Sequence, residues 1–254
     1  MPADITKLRL LLLSIRNETT TREEEHRSFA RYSGLVPEQI DVLNVFATPD
    51  FAPEVVLEYD ALFIGGASEA SVLEPDTYPF VDASQKLILF CIARSIPVFA
   101  SCFGFQLAVL ALNGEIVRDK ASFEMGTLPI YLTPESKSDP LFHDTPDGFL
   151  AVSVHQEKAL AVPQGCDLIA RTDECVHVFK VRNKPFWAFQ FHPEVDKDTL
   201  VSRLTIFKQR YTEDEQHLTE VLDAARETPE SNILVRKFVQ RVLISQGADE
   251  ETRA

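Results

Sequence analysis

Three short stretches of the 254-residue chain carry side chains whose types and spacing suit acyl transfer. In Pro97-Val98-Phe99-Ala100-Ser101-Cys102-Phe103-Gly104-Phe105-Gln106, a short apolar strand runs into a helix with a cysteine at the apex. Such an elbow holds its nucleophile in a strained backbone conformation, which requires small residues two places before and two places after it. Ala100 and Gly104 meet that requirement. A cysteine at a helix N-terminus also has its thiolate favoured by the helix dipole. In Phe186-Trp187-Ala188-Phe189-Gln190-Phe191-His192-Pro193-Glu194, an aromatic-rich strand ends in a histidine with a carboxylate two residues on. Positions i and i+2 of extended backbone point the same way. Glu194 is therefore placed to accept a hydrogen bond from one imidazole nitrogen of His192 and to turn the other towards a thiol. In Tyr59-Asp60-Ala61-Leu62-Phe63-Ile64-Gly65-Gly66, a strand delivers two glycines to the sheet edge where open α/β folds bind their ligands. One N–H from this turn, with that of Phe103, would make the pair of donors that an oxyanion needs. Taken singly, each stretch has a plainer reading: a buried free cysteine, a surface His-Pro-Glu turn and a tight Gly-Gly turn.

The elements that must position these residues follow from apolar patterning. Leu8 to Ile15, Ile40 to Phe46, Tyr59 to Ile64 and Pro97 to Ala100 read as strands, apolar almost throughout. Thr21 to Ser33, stopped by Gly34, then Phe80 to Ser95 and Phe105 to Asn113 read as helices. Strands buried on both faces and alternating with helices predict an α/β three-layer sandwich around a mostly parallel sheet. From Glu115 to Phe191 the chain breaks into β-rich pieces, Gly126 to Thr133, Phe149 to Val154, Val176 to Val181 and Phe186 to Phe191, which predict a small antiparallel or mixed extension. Pro134 to Pro146 reads as an ordinary surface loop. After Glu194 two amphipathic helices are expected, one with Leu218, Val221, Leu222 and Ala225 on one face, the other with Val235, Phe238, Val239 and Val242. The expected division is a catalytic domain over residues 1–210 and a C-terminal helical extension over 211–254.

Composition narrows the partners. Apolar residues make up 45% and charged residues 25%, as in an ordinary folded domain. Acidic residues outnumber basic ones by 39 to 25, a formal charge of −14 that would repel a phosphate backbone, so nucleic acid is not expected as a partner. The apolar run Leu8 to Leu13 is too short to span a bilayer, and no membrane association is expected. Four cysteines, at 91, 102, 166 and 175, show no CxxC spacing, which suits a reducing compartment and makes the cytoplasm the expected location. The histidines show no His-x-x-x-His pattern, and Cys166 and Cys175 show no ligand pair beside them in sequence, so neither a metal nor a cofactor is expected.

Together the three stretches resemble the class I, or triad, glutamine amidotransferase family, whose glutaminase domains occur in GMP synthetase and carbamoyl phosphate synthetase. The resemblance runs from about Leu8 to Val195, so the chain looks like a stand-alone glutaminase unit similar to the amidotransferase domain of GMP synthetase. In that family the nucleophile lies in a Gly-x-Cys-x-Gly-x-Gln elbow, matched by Ala100 to Gln106 with Ala100 for the first glycine. His192-Pro193-Glu194 matches the family's His-Pro-Glu segment. Gly65-Gly66 falls at its oxyanion loop, with Ala67 where proline is usual. Val154-His155-Gln156-Glu157 falls at its Ser-His-Gly-Asp-like pocket segment, with Gln156 and Glu157 for Gly and Asp. The resemblance implies Cys102 as nucleophile, His192 as base and Glu194 as its orienting carboxylate. It also implies Gly66 and Phe103 as oxyanion donors, and Gln106 and His155 in the substrate pocket. The implied reaction is hydrolysis of the glutamine side-chain amide through a γ-glutamyl thioester, with the ammonia passed to an acceptor on a separate synthase subunit. Two alternatives stand beside it: a γ-glutamyl peptide hydrolase using the same triad, and a non-catalytic binding or regulatory protein that keeps the fold.

Overall fold

The computed structural model describes residues 4–119, 123–206 and 215–245. Its first half alternates strands and helices: β1 (Leu10–Ser14), α1 (Thr19–Ser33), β2 (Ile40–Asn44), β3 (Ala61–Ile64), α2 (Phe80–Arg94), β4 (Val98–Ser101) and α3 (Phe103–Ala111). The second half holds β5 (Val117–Arg118), β6 (Glu124–Leu132), β7 (Phe149–His155), β8 (Glu157–Lys158), β9 (Cys166–Arg171), β10 (Val176–Val181) and β11 (Phe186–Phe189). Three helices follow: α4 (Lys197–Ile206), α5 (Glu215–Ala224) and α6 (Pro229–Phe238), the last continuing as a π-helical turn over Val239–Ile244.

Nine strands form one sheet in the order β2-β1-β3-β4-β11-β10-β9-β6-β7, and β5 pairs with β8 in a separate ribbon. From β2 to β11 the pairings are parallel; from β11 through β10, β9 and β6 to β7 they are antiparallel. The β-rich region is thus the antiparallel half of the same sheet, and β11 crosses back to close the parallel half against β4. Strand β9 was not anticipated, because Cys166-Asp167-Leu168-Ile169-Ala170-Arg171 has neither a continuous apolar run nor strict alternation.

The period of two along a strand sorts the apolar residues to opposite faces. Leu11 and Leu13 meet α2 and α3 through Leu87, Ile88, Leu107 and Ala108 on one face. Leu10 and Leu12 join Phe63, Phe99 and Phe189 against Phe29 of α1 and Leu234 and Phe238 of α6 on the other. Each such side chain, fully buried, contributes about 1.5–3 kcal/mol of apolar transfer. A third cluster packs Leu200 and Leu204 of α4 and Leu218 and Val221 of α5 over Met125 and Val152. The segment Pro134 to Pro146, expected at the surface, instead buries Leu141 and Phe142 in the core, and its Asp139 accepts a hydrogen bond from Trp187 Nε1 at 2.9 Å. Among the described residues no helix is long and apolar enough to cross a membrane.

Candidate active site

Strands β3, β4 and β11 are adjacent and parallel, so the three chemistry-bearing stretches leave the sheet at one edge. Ile64 pairs with Ala100, and Ser101 with Phe189. Directly beyond those pairs lie Gly65-Gly66, Cys102 and the run from Gln190 to His192.

Cys102 adopts φ 51° and ψ −100° immediately before α3. This is outside the left-handed helical well, and a side chain held there is strained. Hydrogen bonds on both sides hold it: its N–H donates to Phe189 O at 2.7 Å, and its carbonyl accepts from Gln106 N at 3.1 Å. The elbow is tight enough that a Cβ on Gly104 would sit 2.8 Å from Ile64 Cγ2 and 3.1 Å from Ala100 Cβ, which accounts for the small residues on both sides of the cysteine.

His192 is buried, and its Nδ1 lies 2.7 Å from Glu194 Oε1. Burial works against a charge on the ring, but the facing Cys102 sulfur and the Glu194 carboxylate outweigh it, and the imidazole is pushed up to about 9. Burial likewise opposes ionisation of Glu194, while His192 and, less strongly, Arg203 hold it below the ordinary carboxylate range. Burial raises the thiols of Cys91 to about 12 and Cys166 to about 11, and burial with the nearby Glu124 raises that of Cys175 further.

Gly66 lies where any side chain would collide, its would-be Cβ being 2.6 Å from His192 Cε1 and 3.4 Å from Cys102 Cβ. Its N–H donates to the buried carboxylate of Glu25 at 3.3 Å. Glu25 also accepts from Arg16 Nε at 2.9 Å and Ser14 Oγ at 3.0 Å, and Arg16 Nη1 reaches Ser68 Oγ at 2.8 Å. Phe103 is the first residue of α3, so its N–H has no carbonyl to meet within the helix.

A cleft of about 140 Å³ opens at Cys102 and is lined by Phe103, Gln106, Phe123 and the segment Val154 to Glu157. Gln106 Nε2 donates to Glu157 O at 2.9 Å, fixing that side chain across the cleft floor. The Glu157 carboxylate accepts from Arg118 Nη2 at 2.7 Å and Ser71 Oγ at 2.6 Å. His155 lines the cleft, but its Nε2 is engaged with Glu124 at 2.9 Å. Of the seven residues singled out from the sequence, Cys102, Phe103, Gln106 and His155 line this cleft, Gly66 and His192 adjoin Cys102 beside it, and Glu194 is buried beyond His192; the Gly66 N–H and His155 Nε2 are turned to carboxylates.

Sequence reasoning missed the groups that hold this edge in place. Asn232 of α6 donates through Nδ2 to Pro193 O at 2.8 Å and Val195 O at 2.9 Å, gripping the His-Pro-Glu turn. Asp196 accepts from Tyr32 at 2.7 Å and Arg31 at 2.9 Å, tying the same turn to α1. A polar residue inside an acidic or amphipathic helix reads as solvent-facing, and these contacts join residues 37 to 165 positions apart; no local signal marks them.

Residues 31–208 match the family model described as glutamine amidotransferase class-I. The chain belongs to that family. Among curated relatives, one subunit of the glutamine-hydrolyzing GMP synthase of Methanocaldococcus jannaschii is 32% identical over 118 residues, 46% of this chain and 61% of that protein. A gamma-glutamyl-L-1-hydroxyisopropylamide hydrolase of a Pseudomonas species is 27% identical over 144 residues, 54% of this chain and 48% of that protein. The chain thus spans less than two thirds of the length of these family members. A crystal structure of a glutamine amidotransferase from Thermotoga maritima superposes with a TM-score of 0.74 at 19% identity, covering 93% of this chain and 98% of that one, which establishes the shared fold.

Proposed function

We propose that this family member hydrolyses the side-chain amide of glutamine through a γ-glutamyl thioester on Cys102. The observation that carries the proposal is a strained Cys102 at a cleft, facing a buried His192 whose Nδ1 lies 2.7 Å from the Glu194 carboxylate. With His192 carrying the proton, the Cys102 sulfur attacks the amide carbon. The resulting oxyanion meets the Phe103 N–H and, once its peptide turns from Glu25, the Gly66 N–H. The imidazolium then gives its proton to the departing ammonia. A water deprotonated by His192 cleaves the thioester, releasing glutamate and the sulfur and leaving the proton on His192. Throughout, Glu194 keeps the ring oriented and balances its charge.

The Gly66 N–H is bonded to Glu25, and Ala67 stands where a proline would stiffen the loop. The reading therefore includes a separate synthase chain as ammonia acceptor, whose docking frees that N–H, and a free chain that turns over glutamine slowly. Similarity to the Pseudomonas hydrolase supports one alternative, a γ-glutamyl amide or peptide substrate whose leaving group is an amine. Assay of purified protein with glutamine and with γ-glutamyl amides, using Cys102→Ser, His192→Ala and Glu194→Ala, tests both. Expected are no turnover for Cys102→Ser, nearly none for His192→Ala, and a measurable residue for Glu194→Ala, because an orienting group contributes less than the base itself. Full activity in His192→Ala would sink the proposed mechanism. Rapid glutamine turnover by the lone chain would sink the activation step alone.

A further inference from the structure

Behind the cleft wall, four buried side chains from separate segments converge. Glu124 opens β6, His155 closes β7 directly opposite it, Cys175 lies in the turn before β10, and His177 lies two residues on. Their donor atoms all lie within 4.8 Å of one another. His155 Nε2 and His177 Nε2 sit 2.9 and 2.8 Å from the same Glu124 oxygen, and Cys175 Sγ sits 3.5 Å from it. Among the described residues no lysine or arginine forms an ion pair with Glu124. We propose that Glu124, His155, Cys175 and His177 bind a divalent transition-metal ion of the zinc class.

Two imidazoles, one thiolate and one carboxylate are the ligand types such an ion takes in tetrahedral protein sites. Bonds of about 2.0–2.3 Å to the ion place donor atoms roughly 3.3–3.8 Å apart. The cluster reaches this by opening its two shortest contacts, and closing its widest from within 4.8 Å, by about 1 Å each. Charge points the same way. The Glu124 carboxylate is buried between two imidazoles with no lysine or arginine paired to it among the described residues, and a buried carboxylate without a cation is costly. A divalent ion would expel the Cys175 proton and move each imidazole proton from Nε2 to Nδ1. One carboxylate, one thiolate and the ion then sum to zero charge. The Phe191 ring stacks on His177 at 6.1 Å, next to His192, and His155 forms part of the cleft wall. An ion there would pin β6, β7 and β10 under that wall without touching the reacting sulfur.

The test uses metal-free protein carrying Cys102→Ser, which removes the triad thiol as a competing ligand. Titration with cobalt(II) should saturate at one equivalent and give the intense visible bands of a tetrahedral ion together with a near-ultraviolet thiolate charge-transfer band. On that background Cys175→Ser should lose the charge-transfer band, and His177→Gln should weaken the visible ones, with circular dichroism showing that each variant is folded. X-ray absorption of the zinc-loaded parent, which needs no further substitution, should show one sulfur among nitrogen and oxygen neighbours. Absence of saturable binding, octahedral cobalt spectra, a charge-transfer band that survives Cys175→Ser, or a zinc shell without sulfur would each overturn the site and leave the four groups a hydrogen-bonded cluster. The outcome is independent of whether Cys102 turns over glutamine.

Discussion

The Cys102 sulfur and the Glu194 carboxylate favour a charge on His192, and this has a pH signature. The ring is pushed up to about 9, so imidazolium persists through neutral pH and is lost above that value. Expulsion of ammonia needs the imidazolium proton, so thioester formation should fall as pH rises through about 9; rapid-quench kinetics across that range would show a flat or rising rate if the assignment is wrong. In Cys102→Ser the sulfur's effect on the ring is gone while burial remains, so the ring should titrate lower, which histidine NMR measures directly. The other three thiols provide the contrast. Burial raises all of them, whereas Cys102 faces both the cleft and an imidazole. A glutamine-mimicking electrophile should therefore modify Cys102 first, and peptide mapping that found label on Cys91, Cys166 or Cys175 with Cys102 intact would reject it as nucleophile. At this scale the sequence was most readable, because an elbow and a His-x-Glu step are local patterns. The engagement of the Gly66 N–H by Glu25 was not readable, since that carboxylate comes from Glu23-Glu24-Glu25, where the burial of one member depends on how α1 lies against the sheet.

At the scale of elements, the His-Pro-Glu turn owes its position to helices remote in sequence. Replacing Asn232 by alanine removes the donor to two buried carbonyls, a loss of about 1–3 kcal/mol for groups left without a partner. Chemical denaturation of Asn232→Ala should show that cost, and kcat should fall more than KM rises, because the turn holds the base and not the substrate. A variant with unchanged stability and kcat would show that the grip is incidental. Strand and helix runs with strong apolar patterning, such as Leu10 to Leu13 and Phe80 to Arg94, were legible. Strand β9 and the buried part of the Pro134 to Pro146 segment were not, since their apolar residues are too few to set a period and find partners only across the fold.

At the scale of the whole molecule, the C-terminal helix is part of the core that carries the site. Phe238 packs on Phe63, Phe99 and Trp187 with ring centroids 6.0, 5.5 and 6.1 Å away, one from each of the strands β3, β4 and β11. Phe238→Ala should cost about 3–5 kcal/mol and lower the midpoint of a single cooperative transition. A separate early transition, with activity retained, would instead mark the C-terminal helices as an independent unit. The pairing of β4 with β11 joins Val98 to Phe186 across the whole antiparallel half of the sheet. Contacts that close so long a loop form slowly. During refolding from denaturant, selective reaction of Cys102 with a glutamine-mimicking electrophile should thus return only when the last long-range strand docks, after most helical signal has recovered, which makes the nucleophile a clock for completion of the native topology.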